Sequence, residues 1–584
     1  MKSFLKYTFA TIIGILISFF ILGIVLVITF IGISSSMTKN ETKVSENSIL
    51  ELNIDYPISE RSQENFGDLF AGVNANQQIG LEDLLNIIKN AENDSKIKGI
   101  LLKTGLAENG LATISEIRNA LKSFKSKGKF IYATANYYDK KNYYLSAVAD
   151  SIFIEKTGNI LLNGFSTNVM FYAGALEKLG VEMQYVKVGT YKGAVESFTR
   201  TNLSDENKEQ ITSFLSVLYQ NFISDISADR KIDATLLKES MDNFTIQSID
   251  EAIKIGLIDK TIYLDELKVN IAKRLKIKNV ENLSFVKGSS YKKEYTHSGS
   301  DDEIAVIFAS GEIMDGEGND NTIGGVSLSK TISKARLNKN IKAIVLRVNS
   351  PGGSALASDI ICREISLCKG QKPVIVSMGD VAASGGYYIS ALADSIIAMP
   401  NTITGSIGVF GLFPNAQKLI NDKIGLKIES VNLGKYADFG RLDRPLQEVE
   451  KMFLQKMVNS IYEDFTNVVE KGRKIDSVSV EKIAQGRVWA AAQAKNNGLI
   501  DSYGGLNDAI KIAAFKSKLK NYNIVSLPKV ENPFEKLFNQ SSNQIMEKKL
   551  SNELGVFYTH YKNLTQTIKV IGFQTRLPFN IQIP

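Results

Sequence analysis

The chain is written twice. Tyr143-Tyr144-x-Ser146-Ala147-x-Ala149-Asp150-Ser151-Ile152 returns 244 residues later as Tyr387-Tyr388-x-Ser390-Ala391-x-Ala393-Asp394-Ser395-Ile396. Lys98-Gly99-Ile100-Leu101-Leu102 matches Lys342-Ala343-Ile344-Val345-Leu346 at the same spacing. Two further pairs follow in order: Arg230-Lys231-Ile232-Asp233 with Arg473-Lys474-Ile475-Asp476, and Gly256-Leu257-Ile258-Asp259 with Gly498-Leu499-Ile500-Asp501. Four blocks in one order at nearly one offset require a duplicated domain. At 584 residues the chain is also too long for a single core.

Within each copy, short β-branched runs alternate with longer helical patterns. In the second copy the runs are Ile304–Phe308, Ile341–Val348, Val374–Ser377 and Ser395–Ala398, with helix-like stretches at Ala355–Leu367 and Gly385–Ala393. That alternation predicts α/β domains, each around a mainly parallel buried sheet. The expected divisions are a first repeat over 47–286, a polar linker over 287–302 and a second repeat over 303–518. The α/β pattern fades in the tail, 519–584, which stays unassigned.

Ahead of the repeats, no charged residue occurs between Lys6 and Lys39. About 20 apolar residues cross a bilayer as a helix, so residues 1–46 read as a membrane anchor with its span at about 8–34. A cleaved signal peptide is the other reading of such a segment, but its apolar stretch is usually only about 7–15 residues. Lys2 and Lys6 favour a cytoplasmic amino terminus, a contrast that Lys39 and Lys43 weaken. The formal charge of +7 is small for this length and gives no reason to expect nucleic acid as a partner.

The inventory of reactive side chains is narrow. His297 and His560 are the two histidines, both in polar or tail-like sequence, and Cys362 and Cys368 are the two cysteines. Six residues apart in one helix, the cysteines point about 240° away from each other and should not bridge. No disulfide framework or zinc constellation is expected, and no cofactor. Hydrolytic chemistry must then come from hydroxyl, carboxylate or lysine groups.

The copies disagree where chemistry could sit. The second reads Gly379-Asp380-Val381-Ala382-Ala383-Ser384-Gly385-Gly386 where the first reads Ala135–Asn142, with Lys140 in the serine's place. Ser384 follows a strand, has small neighbours and opens a helix, which suits a nucleophile and equally suits a plain N-cap. The second copy also has Asn349-Ser350-Pro351-Gly352-Gly353-Ser354 at a strand-to-helix turn. Such a double glycine exposes backbone N–H groups of the kind an oxyanion needs, or makes an ordinary tight turn. Conversely, the first copy alone has Lys192, in Gly189-Thr190-Tyr191-Lys192-Gly193, where the second has Ala437. A surface lysine is the default for that residue type. As a general base it must be buried, so that desolvation lowers its pKa from about 10.4.

With these residues in view, the chain resembles the long-form signal peptide peptidases of the SppA (protease IV) family. The marks are Ser350–Gly353, Asp380–Tyr388, Thr404-Gly405-Ser406-Ile407-Gly408, Tyr191-Lys192 and Gly486-Arg487-Val488-Trp489, and the likeness runs from about residue 45 to 515 plus the anchor. The resemblance implies two tandem Clp-protease/crotonase-like α/β domains and a Ser/Lys dyad split between them, with Ser384 as nucleophile and Lys192 as general base. It implies oxyanion donors at Gly353 and Gly352, and Ser406 orienting the lysine. It also implies a homotetramer that degrades cleaved, hydrophobic signal peptides. The implied location is the bacterial inner membrane, single-pass, with the catalytic domains on the periplasmic side. Thr190, Gly193 and Ser197 depart from residues common in relatives. Two alternatives remain at this level: a crotonase-like acyl-thioester enzyme and a non-catalytic membrane scaffold.

Overall fold

The computed structural model describes residues 7–8, 11, 13–25, 44–62, 78–105, 108–291, 299–319, 321–529 and 572–577. The duplication holds strand for strand. The first copy builds a parallel sheet in the spatial order Lys260–Thr261, Ser151–Ile160, Phe130–Tyr138, Ile97–Thr104, Ser48–Ile54, Phe285–Lys287. The second repeats it with Ser502–Tyr503, Ser395–Ala398, Val374–Ala383, Ile341–Ser350, Glu303–Ser310 and Asn523–Leu527. Ile344, Val345 and Leu346 are all buried although neighbours on a strand face opposite ways, as expected of a sheet covered on both sides.

The repeated sequence blocks turn out to be one lock. Asp150 accepts from Ile131 N–H and Asp394 from Val374 N–H, both at 2.8 Å. Arg230 pairs with Asp259 and Arg473 with Asp501, while Tyr143 and Tyr387 hydroxyls donate to Leu257 and Leu499 carbonyls. These bonds close the sheet's far edge in each copy.

Three outcomes differ from the sequence reading. The second sheet runs past residue 518, because Asn523–Leu527 pairs with Glu303–Ser310 as its edge strand. Helix after Ser384 extends only over Gly385–Tyr388, continuing as turns, so a helix dipole contributes little there. Part of the unassigned tail, Gly572–Arg576, is a strand of a third sheet. Of the expected membrane span, residues 13–25 are helical with exposed apolar side chains, and most of its remainder lies outside the described residues. No described helix is long and apolar enough to cross a membrane. Cys362 and Cys368 are buried and unbridged in the helix Ala355–Cys368.

The copies meet through buried polar groups. Arg347, fully buried in the second copy, pairs with Glu60 at 2.8 Å and Glu116 at 3.0 Å, both from the first. Asp380 accepts from Gly110 N–H, Thr113 N–H and Thr113 Oγ1. The third sheet also joins the copies: Thr322–Gly324, Glu312–Met314, Gly352–Ser354, Gly572–Arg576, Val409–Asn415 and, from the first copy, Glu182–Val188.

Candidate active site

Two strand registers assemble the site. Val374–Ala383 pairs in parallel with Ile403–Gly405, Ala383 opposite Gly405, so Ser384 and Ser406 leave the sheet side by side. Ser384 N–H donates to Gly405 O at 2.8 Å. The second register is antiparallel: Glu182–Val188 lies along Val409–Asn415 with Val188 opposite Val409. The chain therefore leaves Val188 at the same end where it enters Val409. Four residues on from Val188 is Lys192, and three before Val409 is Ser406. One ladder end brings the first copy's lysine to the second copy's serines.

Lys192 and Ser384 are both fully buried, with Lys192 Nζ 2.8 Å from Ser384 Oγ. Nζ also lies 3.0 Å from Ser406 Oγ and donates to Ser406 O at 3.1 Å. No carboxylate stands among these partners. Burial pushes the Lys192 amine well below the ordinary lysine range, with no countercharge to restore it. A neutral amine has two N–H groups for Ser406 and a lone pair for the Ser384 hydroxyl, so this environment satisfies it completely. The backbone of Ser384 is strained, at φ 55° and ψ −115°. Such a conformation persists in a non-glycine residue only when the surroundings impose it, and it concentrates at functional turns.

The segment Gln485–Arg487, which overlaps the Gly486–Trp489 stretch marked in the sequence, holds both loops. Gln485 O accepts from Tyr191 N–H at 2.9 Å, and Arg487 O accepts from Ser406 N–H at 2.7 Å. Gln210 bridges the same pieces, from its amide to Tyr191 O and from Val488 N–H to its oxygen. The departures beside the lysine are absorbed: Thr190 N–H donates to Gln485 Oε1 at 3.0 Å, and Gly193 packs on the Asn207 side chain.

Gly352 and Gly353 have φ of 95° and 155°, which their lack of a side chain permits. Gly352 N–H is engaged by Ser350 Oγ at 3.2 Å. The strand Gly352–Ser354 is flanked by Gly572–Arg576. In the first copy Lys140 occupies the serine's place, its ammonium donating to Asn163 Oδ1 at 2.7 Å. In the second copy Ala437, in the lysine's place, sits in an exposed loop. Each copy thus contributes one side chain to the Lys192–Ser384 contact.

Comparison with known proteins decides the family. The peptidase family S49 model matches residues 123–278 and again 366–520. The chain belongs to peptidase family S49. Protease 4 of Haemophilus influenzae is 34% identical over 84% of this chain and 83% of its own length. Protease 4 of Salmonella typhi is 36% identical over 77% of this chain and 74% of its own, and the chloroplastic serine protease SPPA of Arabidopsis thaliana 34% over 84% and 72%. As an S49 member the chain is a serine protease. A ClpP1 mutant from Listeria monocytogenes covers 35% of this chain at 16% identity and a TM-score of 0.23, which carries no argument.

Proposed function

We propose that this S49 peptidase is a membrane-bound endopeptidase that cleaves hydrophobic peptides, signal-peptide remnants among them, with a Ser384/Lys192 dyad. The observation that carries the reading is the 2.8 Å contact between a buried, countercharge-free amine and a buried hydroxyl on a strained turn. Neutral Lys192 takes the hydroxyl proton as Ser384 Oγ attacks the peptide carbonyl. The resulting ammonium, held by both oxygens of Ser406, protonates the leaving amine. Water then attacks the acyl-enzyme, with Lys192 again as base. Gly353 N–H is the main oxyanion donor, and Gly352 N–H joins it only by giving up its bond to Ser350 Oγ.

The long apolar run before residue 39 would tether the enzyme at the inner membrane, with its repeats on the periplasmic side and its substrates near at hand. Assembly as a homotetramer would cover apolar side chains exposed on the second copy, among them Val431, Leu433, Met452 and Phe453.

The deciding experiment is turnover of a hydrophobic fluorogenic peptide by detergent-solubilised protein beside Ser384→Ala and Lys192→Ala. Both variants should lose at least about 10³-fold in kcat with folding intact. Turnover surviving Ser384→Ala would sink the proposal.

A further inference from the structure

The strand Gly572–Arg576 runs in a lane between two other strands. On one side it pairs antiparallel with Gly352–Ser354, Thr575 opposite Gly353; on the other with Val409–Asn415, Gln574 opposite Phe410. Both flanking strands have their outer edges already taken, by Glu312–Met314 and Glu182–Val188. Strands lie about 4.8 Å apart, so the lane is one extended chain wide. It is also the lane beside the dyad. The carbonyl oxygen of Thr575 stands where a side chain on Gly352 would begin, and Thr575 Oγ1 stands 2.9 Å from the same point on Gly385, the residue after Ser384.

An extended peptide laid between two strand edges, with its backbone next to a nucleophile, is how a peptide substrate docks by strand addition. We infer that the chain's own Gly572–Arg576 is a built-in competitive occupant of the peptide groove, and that Glu312 is a subsite for a basic side chain. This rests on the proposed Ser384 active site. Four contacts hold the strand besides its ladder. Thr575, fully buried, donates its hydroxyl to Gly353 O at 3.1 Å. Leu577 N–H donates to Pro351 O at 2.8 Å and its side chain is buried. Arg576 Nη1 pairs with Glu312 Oε1 at 3.1 Å, both side chains partly exposed at the groove's rim. Phe573 meets Phe413 edge-on further along. The groove therefore takes an extended segment with a small side chain facing Gly353 and a basic residue directly after it.

Because the occupant is tethered, it competes at a high local concentration with every substrate. A groove open one time in ten weakens apparent affinity about tenfold. The test compares the full chain, a chain ending at residue 571, and full-length Arg576→Glu on one hydrophobic peptide. Truncation should lower KM by about tenfold with kcat little changed, and Arg576→Glu should lower it in the same direction. A synthetic peptide spanning residues 570–579 should inhibit the truncated chain competitively. The same peptide with glutamine for its arginine should bind about threefold more weakly, a difference that Glu312→Gln abolishes. Unchanged KM in Arg576→Glu together with no competition by the peptide overturns the inference, as does a truncated chain that cannot fold while Arg576→Glu behaves as wild type. The Ser384→Ala control separates the two levels: an active Ser384→Ala removes the active site itself, whereas an inactive one with no competition removes only the occupant.

Discussion

Gly486 lies against Lys192 so closely that a methyl group on it would stand 2.7 Å from both the backbone nitrogen and Cβ of the lysine. Its φ of 75° also lies where side chains are unfavourable. Backbone on both sides leaves nothing flexible to yield. Gly486→Ala should therefore displace the lysine while the two distant sheets stay folded. The expected result is a fall in kcat of about 10²-fold, the scale of a misplacement near 1 Å, with unfolding midpoint changed much less. Steady-state kinetics beside thermal unfolding check it.

The pH dependence follows from the depressed Lys192 pKa. In the proposed mechanism its neutral form is the base, so kcat/KM should rise with pH through that depressed value and then level off. The stability sign runs the same way. Between the folded value and the ordinary value of about 10.4, the unfolded state binds the extra proton, so stability rises with pH across that window. Below the folded value both states are protonated and the penalty is constant. Lys192→Met, with no amine to desolvate, should be more stable than wild type at neutral pH and should lose this slope. Denaturant unfolding at several pH values measures both.

Ser406 supplies two of the three polar partners of Lys192 Nζ. Ser406→Ala keeps the carbonyl and removes the hydroxyl. An ammonium needs that acceptor more than a neutral amine does, so the alkaline-rising limb of the rate profile should move to lower pH. The lysine also loses an orienting contact, so plateau kcat should fall, by about tenfold if the hydrogen bond is worth near 1.4 kcal/mol. A pH–rate profile shows both effects. An unmoved limb would separate Ser406 from the lysine's titration.

Arg347 is buried against two carboxylates of the other copy. Burial opposes its charge, but Glu116 and Glu60 together hold its pKa above the ordinary arginine value. Burial in turn raises Glu116, against the pull of Arg347. The contact to Glu60 is a hydrogen bond, whereas that to Glu116 is close without hydrogen-bond geometry. Arg347→Ala strands two buried acids and should destabilise the join by about 3–5 kcal/mol. Because the proposed dyad spans that join, activity should be lost at denaturant concentrations where secondary structure persists. Paired unfolding and activity titrations test this.

Much of this was legible in the chain. The duplication is a sequence fact, and strands fall on the Ile-, Val- and Leu-rich runs because a sheet covered on both faces needs unbroken apolar stretches. Ser384 and Lys192 were singled out by the complementary differences between copies, a signal that needs no coordinates. The role of Gly486 was not visible, since a glycine in sequence does not say which backbone approaches it. Helix after Ser384 is shorter than the sequence pattern predicts because Gly385-Gly386 weakens helix propensity there.

What the sequence determined by itself is therefore local pattern and its repetition: two α/β units, their strands, and which residues each copy kept or gave up. What only the tertiary structure decided is pairing between distant edges. The ladder of Val188 with Val409 and the strand at Gly572–Arg576 have no periodic signature, the latter being five residues of mixed character. Their places depend on which edges other strands leave open. That is a property of the whole packed molecule, because backbone N–H and C=O groups pair with whatever complementary edge is near and carry no record of it in the side chains.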